Sequence, residues 1–131
     1  MVIFIDTSAV IALLNAADPN HAAANDALRR HLDSARLITH NYVVLETVAL
    51  LQRRFGIGAV RAFVDRLLPR ISVVWVDAAR HDRAMTSLLS RGRRNASLVD
   101  RVSFDVMRER GAQTAFAYDA DFRREGFALL D

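Results

Sequence analysis

The chain opens on an uninterrupted apolar run, Met1-Val-Ile-Phe-Ile5, which stops at Asp6. A short run of β-branched and aromatic residues without polar alternation reads as a strand buried on both faces, the kind found inside a parallel sheet. Asp6 then stands at its carboxyl end. In open α/β sheets that is where ligands and catalytic groups collect, because the crevice between strand ends and following helices is open. Thr7 or Ser8 can cap the helix expected over residues 9–14, and Asp6 can share that role. The aspartate therefore acquires chemistry only if other acids converge on it.

The rest of the chain alternates helix and strand patterns. A breaker cluster at 15–20 precedes an Ala-rich helix at 21–32, and Leu37-Ile38 marks a second strand at 36–40. Asn41 is placed to cap a helix over 42–55 that stops at Gly56. Apolar residues Val43, Val44, Leu45, Val48, Ala49, Leu50, Leu51 and Phe55 cover most of its circumference, which predicts a rod buried nearly all round. Glu46 lies in its narrow polar stripe, and a buried carboxylate needs a cation, a metal or an arginine. Arg53, further along the same helix, is the alternative to a site role.

Val60, Phe63, Val64, Leu67 and Leu68 form an amphipathic helix ended by Pro69, read as core or interface. Residues 71–76, with Trp75, read as a third strand, and Asp77 caps a helix reaching about residue 91. Arg91-Gly92-Arg93-Arg94-Asn95 follows, a solvated loop or a clamp for phosphates. Ser97-Leu-Val-Asp100 has the pattern of a capping box opening a helix to residue 110, closed by Gly111. The helical wheel turns Asp100 inward and leaves Asp105 on the wet face. Residues 114–118 read as a fourth strand that also ends in an acid, Asp119, with Asp121 just beyond; 126–130 reads as a final edge strand. The expected fold is α/β: a parallel sheet of about five strands with helices on both faces, in one domain spanning residues 1–131.

Composition narrows the chemistry. Half of the 131 residues are apolar, enough for a core. There is no cysteine, which excludes a disulfide framework, a thiolate nucleophile and a Cys-based metal site. The apolar run at the amino terminus is too short for a signal peptide or a membrane span, so a cytoplasmic protein without a membrane association is expected. All eighteen basic side chains are arginine. Guanidinium suits a polyanion, although a genome rich in G and C produces the same bias.

The topology delivers Asp6 and Asp119 to one edge of the sheet, where Glu46 and Asp100 can reach them from two helices. Crowded carboxylates cannot all stay ionised unless a cation joins them. Hard oxygen ligands without cysteine or a histidine cluster point to Mg2+ or Mn2+. The histidines, at 21, 31, 40 and 81, show no ligand spacing. Such an acidic platform suits in-line hydrolysis of a phosphodiester.

Together, Ile3-Phe-Ile-Asp6-Thr-Ser8, the Glu46 helix, Ser97-Leu-Val-Asp100-Arg-Val-Ser103-Phe and Phe116-Ala-Tyr-Asp119-Ala-Asp121 resemble a PIN-domain nuclease, and most closely a VapC-type toxin of a toxin–antitoxin pair. The resemblance implies a PIN-like α/β/α fold and a Mg2+- or Mn2+-dependent endoribonuclease, typically a homodimer, silenced by a cognate antitoxin. By motif it implies an acidic quartet of Asp6, Glu46, Asp100 and Asp119, with Asp121 as an additional metal-site acid and Thr7 and Ser103 as supporting hydroxyls. Arg91, Arg93 and Arg94 are the candidate RNA phosphate contacts. A dehalogenase-like phosphatase wants an acid at position 8, which is Ser; a receiver domain and a P-loop each want a lysine, which the chain lacks. The competing reading is a PIN-like module that binds nucleic acid or a protein without cleaving, for example within a DNA-binding repressor complex with its antitoxin.

Overall fold

The computed structural model describes residues 1–90 and 96–131; the predicted phosphate contacts Arg91, Arg93 and Arg94 lie outside the described residues. The chain runs β1 (Val2–Ile5), α1 (Thr7–Leu14), α2 (His21–His31), β2 (Arg36–His40), α3 (Asn41–Phe55), α4 (Ile57–Ala62), β3 (Ile71–Val74), α5 (Ala78–Ser90), α6 (Leu98–Arg110), β4 (Thr114–Phe116), α7 (Asp121–Arg124) and β5 (Ala128–Leu129). The five strands form one sheet in the order β3-β2-β1-β4-β5, every pairing parallel. From β1 the chain builds first to one side, through β2 and β3, and returns to the other at β4. The strand order therefore reverses at β1, and a crevice opens above the carboxyl ends of β1 and β4.

Alternation along β1 sends Ile3 and Ile5 to one face of the sheet and Phe4 to the other. The first face packs with Val10, Leu51 and Phe63; the second packs with Val102, Met107 and Phe122. All nine are almost completely buried. This is the three-layer α/β/α arrangement expected from the apolar first run.

Several local expectations are corrected. α3 buries only the line Val43, Thr47 and Leu51, one residue per turn. Its other side is open: Leu45 is 69% exposed, and Glu46 is exposed too. Apolar composition around a helix does not by itself place protein on every side of it. The cap of α3 is His40, not Asn41: His40 Nδ1 accepts the backbone N–H groups of Tyr42 and Val43 at 3.2 and 3.4 Å. Asn41 Oδ1 instead accepts the Val76 N–H at 2.7 Å and holds the segment after β3. The helix expected over 60–68 starts earlier and changes pitch, α4 passing into a π turn at Phe63–Leu67 and a 3-10 turn at Leu68–Arg70. The wider turn keeps both Phe63 and Leu67 buried, and Pro69, which has no N–H, prevents an α-helical continuation. β3 ends at Val74, leaving Trp75 76% exposed. β4 ends at Phe116 because the Tyr118 N–H turns to Ser8 Oγ, at 2.9 Å, and leaves the ladder.

Candidate active site

Asp6 is the first residue beyond β1 and the N-cap of α1. Its backbone N–H donates to the Phe116 carbonyl of β4 at 3.1 Å, which ties the two strand ends together. Its Oδ2 accepts Ser8 Oγ–H at 2.8 Å and the Ser8 N–H at 3.3 Å. Capping and a place in the crevice are thus the same geometry, and Asp6 is only 5% exposed.

Asp100 arrives from the first turn of α6, where the capping box forms as expected. Ser97 Oγ accepts the Asp100 N–H at 3.1 Å, and Asp100 Oδ2 accepts the Ser97 N–H at 3.4 Å. Asp119 follows β4 and accepts the Asp121 N–H on Oδ1 at 2.9 Å. Asp121 begins α7 and pairs with Arg124 at 2.6 Å. Asp100, Asp119 and Asp121 each offer an oxygen, all within 4.8 Å of one another. Asp6, Glu46, Asp100 and Asp119 line a crevice of about 430 Å3, Glu46 from the exposed side of α3.

The charges in this crevice are not balanced. Burial raises the Asp6 pKa, with repulsion from Glu46 adding to it and the Ser8 hydrogen bonds opposing it. Asp100 is pushed up to about 7, first by burial and then by the negative charges of Asp6, Asp119 and Asp121. The donor set is all oxygen and carries excess negative charge. Opposite ligands of an octahedral ion with bonds of about 2.0–2.1 Å stand roughly 4 Å apart, so the Asp100, Asp119 and Asp121 oxygens need to close by only a few tenths of an ångström around a hard divalent cation.

The two predicted supporting hydroxyls are both buried. Thr7 Oγ1 lies 3.0 Å from Thr47 Oγ1, joining α1 to α3, and Thr7 also lines the crevice. Ser103 is completely buried; its Oγ–H donates to the Val99 carbonyl at 2.9 Å and meets His40 Nε2 at 2.8 Å. Since Ser103 spends its proton on Val99, His40 Nε2–H donates to Ser103, while His40 Nδ1 accepts from α3. Burial holds this imidazole neutral, its pKa lowered to about 3. His40 therefore links the Glu46 helix to the Asp100 helix through Ser103. The expected inward and outward faces of α6 are also met, Asp105 being ion-paired with Arg83 at 3.0 Å and Arg80 at 3.6 Å.

Other residues lining the crevice carried no signal at the level of motifs: Asp18, Asn20, Arg54 and Tyr118. They come from three separate segments, and only tertiary packing brings them beside the acids.

Comparison with known proteins settles the family. The PIN domain pattern matches residues 3–128. The chain belongs to the PIN domain family. It is 40% identical over 129 residues to the 23S rRNA-specific endonuclease VapC20 of Mycobacterium tuberculosis, covering 95% of each chain. The crystal structure of VapC20, described as a sarcin-ricin-loop-cleaving toxin, aligns with a TM-score of 0.81 over 96% of each chain. VapBC2 from Rickettsia felis, bound to a DNA fragment from its promoter, aligns with a TM-score of 0.73 over 98% of this chain and 97% of that one, at 14% identity, and shares the fold. Among PIN domains, this chain is of the VapC type. No helix of the described residues is long and apolar enough to cross a membrane.

Proposed function

We propose that this PIN domain, residues 1–131, is the toxin of a toxin–antitoxin pair and hydrolyses RNA phosphodiester bonds as a Mg2+- or Mn2+-dependent endoribonuclease. The observation that carries the reading is the crowded carboxylate cluster, in which only Asp121 has an ion-pair partner among the described residues and burial and three neighbouring acids raise Asp100 to about 7. Such a site is favourable only with a cation in it. Asp100, Asp119 and Asp121 would hold the ion, with Asp6 and Glu46 completing the acidic wall. When bound, a divalent cation supplies Lewis acidity and offsets charge developing on the phosphoryl oxygens.

The chain's own groups do the rest. Ser8 fixes the Asp6 carboxylate, and the capping box fixes Asp100, so the acids are positioned before substrate arrives. Thr7 and Ser103 support them by joining α1 to α3 and bracing α6. The 40% identity to a 23S rRNA-specific endonuclease supports ribosomal RNA as the substrate class. Alignment with a VapBC structure supports a cognate antitoxin as partner. Large exposed apolar side chains on and just after α3 (Leu45, Phe55, Ile57 and Val64) support a homodimer with this side covered.

The test is to offer the purified chain, free of antitoxin, ribosomal, transfer and messenger RNA separately with Mg2+ or Mn2+. Discrete cuts in ribosomal RNA support the full reading; discrete cuts elsewhere keep the nuclease and replace the substrate. Binding of RNA without any cut, by a chain that takes up the metal, overturns it in favour of a non-catalytic module.

A further inference from the structure

The crevice has a further wall besides the four acids. We propose that this wall is a nucleobase subsite that holds a guanine flanking the scissile phosphate, stacked on Tyr118 and read by Asp18; the inference rests on the RNA-cleaving reading. Tyr118 and Leu50, with Ile11, give it apolar surface, and Asp18, Asn20 and Arg54 line the crevice as well. At about 430 Å3 the crevice exceeds what an ion and its waters occupy, since a water takes about 30 Å3.

Three independent features favour a base. The Tyr118 main chain is tied to the acids, its backbone N–H donating to Ser8 Oγ at 2.9 Å and the same hydroxyl donating to Asp6 Oδ2 at 2.8 Å, while its ring meets Phe116 edge-on with centroids 6.3 Å apart. An aromatic side chain lining the same crevice as the acids offers a base a stacking surface. Asp18 is rigid as well, its Oδ1 accepting the Asn20 N–H at 2.8 Å in a turn completed by Pro19. It lines the same crevice as Tyr118. Finally, the Asn20 side chain makes no capping bond at the start of α2 and, among the described residues, takes no partner. Its amide is available to a ligand.

A fixed carboxylate beside an aromatic face selects a base presenting adjacent donors. Guanine alone among the four offers two neighbouring N–H donors on its pairing edge; uracil offers one, and adenine and cytosine set a donor beside an acceptor. Asn20 can then serve the guanine carbonyl. Arg54 forms no ion pair with another described residue and is the one cationic group among the described residues lining this crevice, suited to an adjoining phosphate.

The experiment measures equilibrium binding of the four nucleoside 5′-monophosphates to the full chain in Ca2+, and in parallel cleavage of short RNAs in Mg2+. Guanosine monophosphate is expected to bind at least about tenfold more tightly than uridine monophosphate. Tyr118→Ala should weaken it by about tenfold or more, the scale of one lost stack, and Tyr118→Phe should not. Asp18→Asn, at a half-buried turn position, should erase the guanine preference while a stacked base still binds. Equal binding of all four nucleotides, or a Tyr118→Ala variant that is folded and binds like the parent, overturns the subsite. Selective nucleotide binding without RNA cleavage would sustain the subsite and remove the nuclease reading; cleavage without base preference would do the reverse.

Discussion

Replacing Asp100 with asparagine tests the electrostatic account with the least structural disturbance. Asn keeps an oxygen that can accept the Ser97 N–H, and the Asp100 N–H to Ser97 Oγ bond is untouched, so the capping box survives. What disappears is the charge. Asp100 rises from 3.8 to about 7 in the folded chain, and each unit corresponds to about 1.4 kcal/mol. Full conversion gives about 4 kcal/mol of destabilisation above pH 7, which water entering the open crevice reduces to about 2–4 kcal/mol. Loss of an acid near a helix N-terminus returns about 0.3–1 kcal/mol in the other direction. The net expectation for Asp100→Asn, metal-free at pH 8, is a gain of about 2–3 kcal/mol. The sign with pH follows from linkage. The folded chain holds the Asp100 proton more tightly than the unfolded chain, so this contribution to stability is complete below pH 4 and is lost as pH rises through about 7. Urea unfolding with chelator at pH 5 and pH 8 reads the difference directly, and the advantage of the variant should grow between the two. Saturating Mg2+ should reverse the order, stabilising the parent by about 2.7 kcal/mol at a hundredfold excess over its dissociation constant and the variant by much less. A pH-independent difference, or equal stabilisation of both proteins by Mg2+, would refute the reasoning.

Asp6→Ala should abolish RNA cleavage while leaving a folded chain, because the lost α1 cap, about 1 kcal/mol, is offset by relief of a crowded carboxylate; retained cleavage would remove Asp6 from the site. His40→Ala should lower stability by about 2–4 kcal/mol, since it uncaps α3 and opens a cavity in the core; a change under about 1 kcal/mol in chemical denaturation would contradict the bridging role. Ser103→Ala, which leaves the imidazole N–H without its acceptor, should cost about 1–3 kcal/mol by the same assay; no measurable loss would show that water replaces the hydroxyl. Neutralising Arg91, Arg93 and Arg94 together should reduce the slope of log affinity for RNA against log salt by about 2, and an unchanged slope would leave the segment a solvated loop.

What could be read from the sequence followed from local rules. The apolar run before Asp6, the capping box at Ser97 and the acid after Phe116 each carry their own signal, so the parallel sheet and the acids at its carboxyl edge were legible. The exposed side of α3 was not, because composition around a helix does not say which side another element covers. Nor was the His40 bridge, which joins residues sixty-three positions apart and leaves no periodic trace. Asp18, Asn20, Arg54 and Tyr118 meet at the crevice only through the packing of α1, α3 and the turn after β4. A site assembled from short motifs shows in sequence; the rest of the crevice, built by folding alone, does not.

The central claim is that the carboxylate cluster at the carboxyl ends of β1 and β4 cuts RNA with a divalent cation. The most direct measurement is incubation of the purified, antitoxin-free chain with total cellular RNA, comparing Mg2+ or Mn2+ with chelator and running Asp6→Ala and Asp100→Asn alongside. Discrete fragments that require the metal and vanish in both variants are the predicted result. Fragments that persist in chelator or in either variant would contradict it.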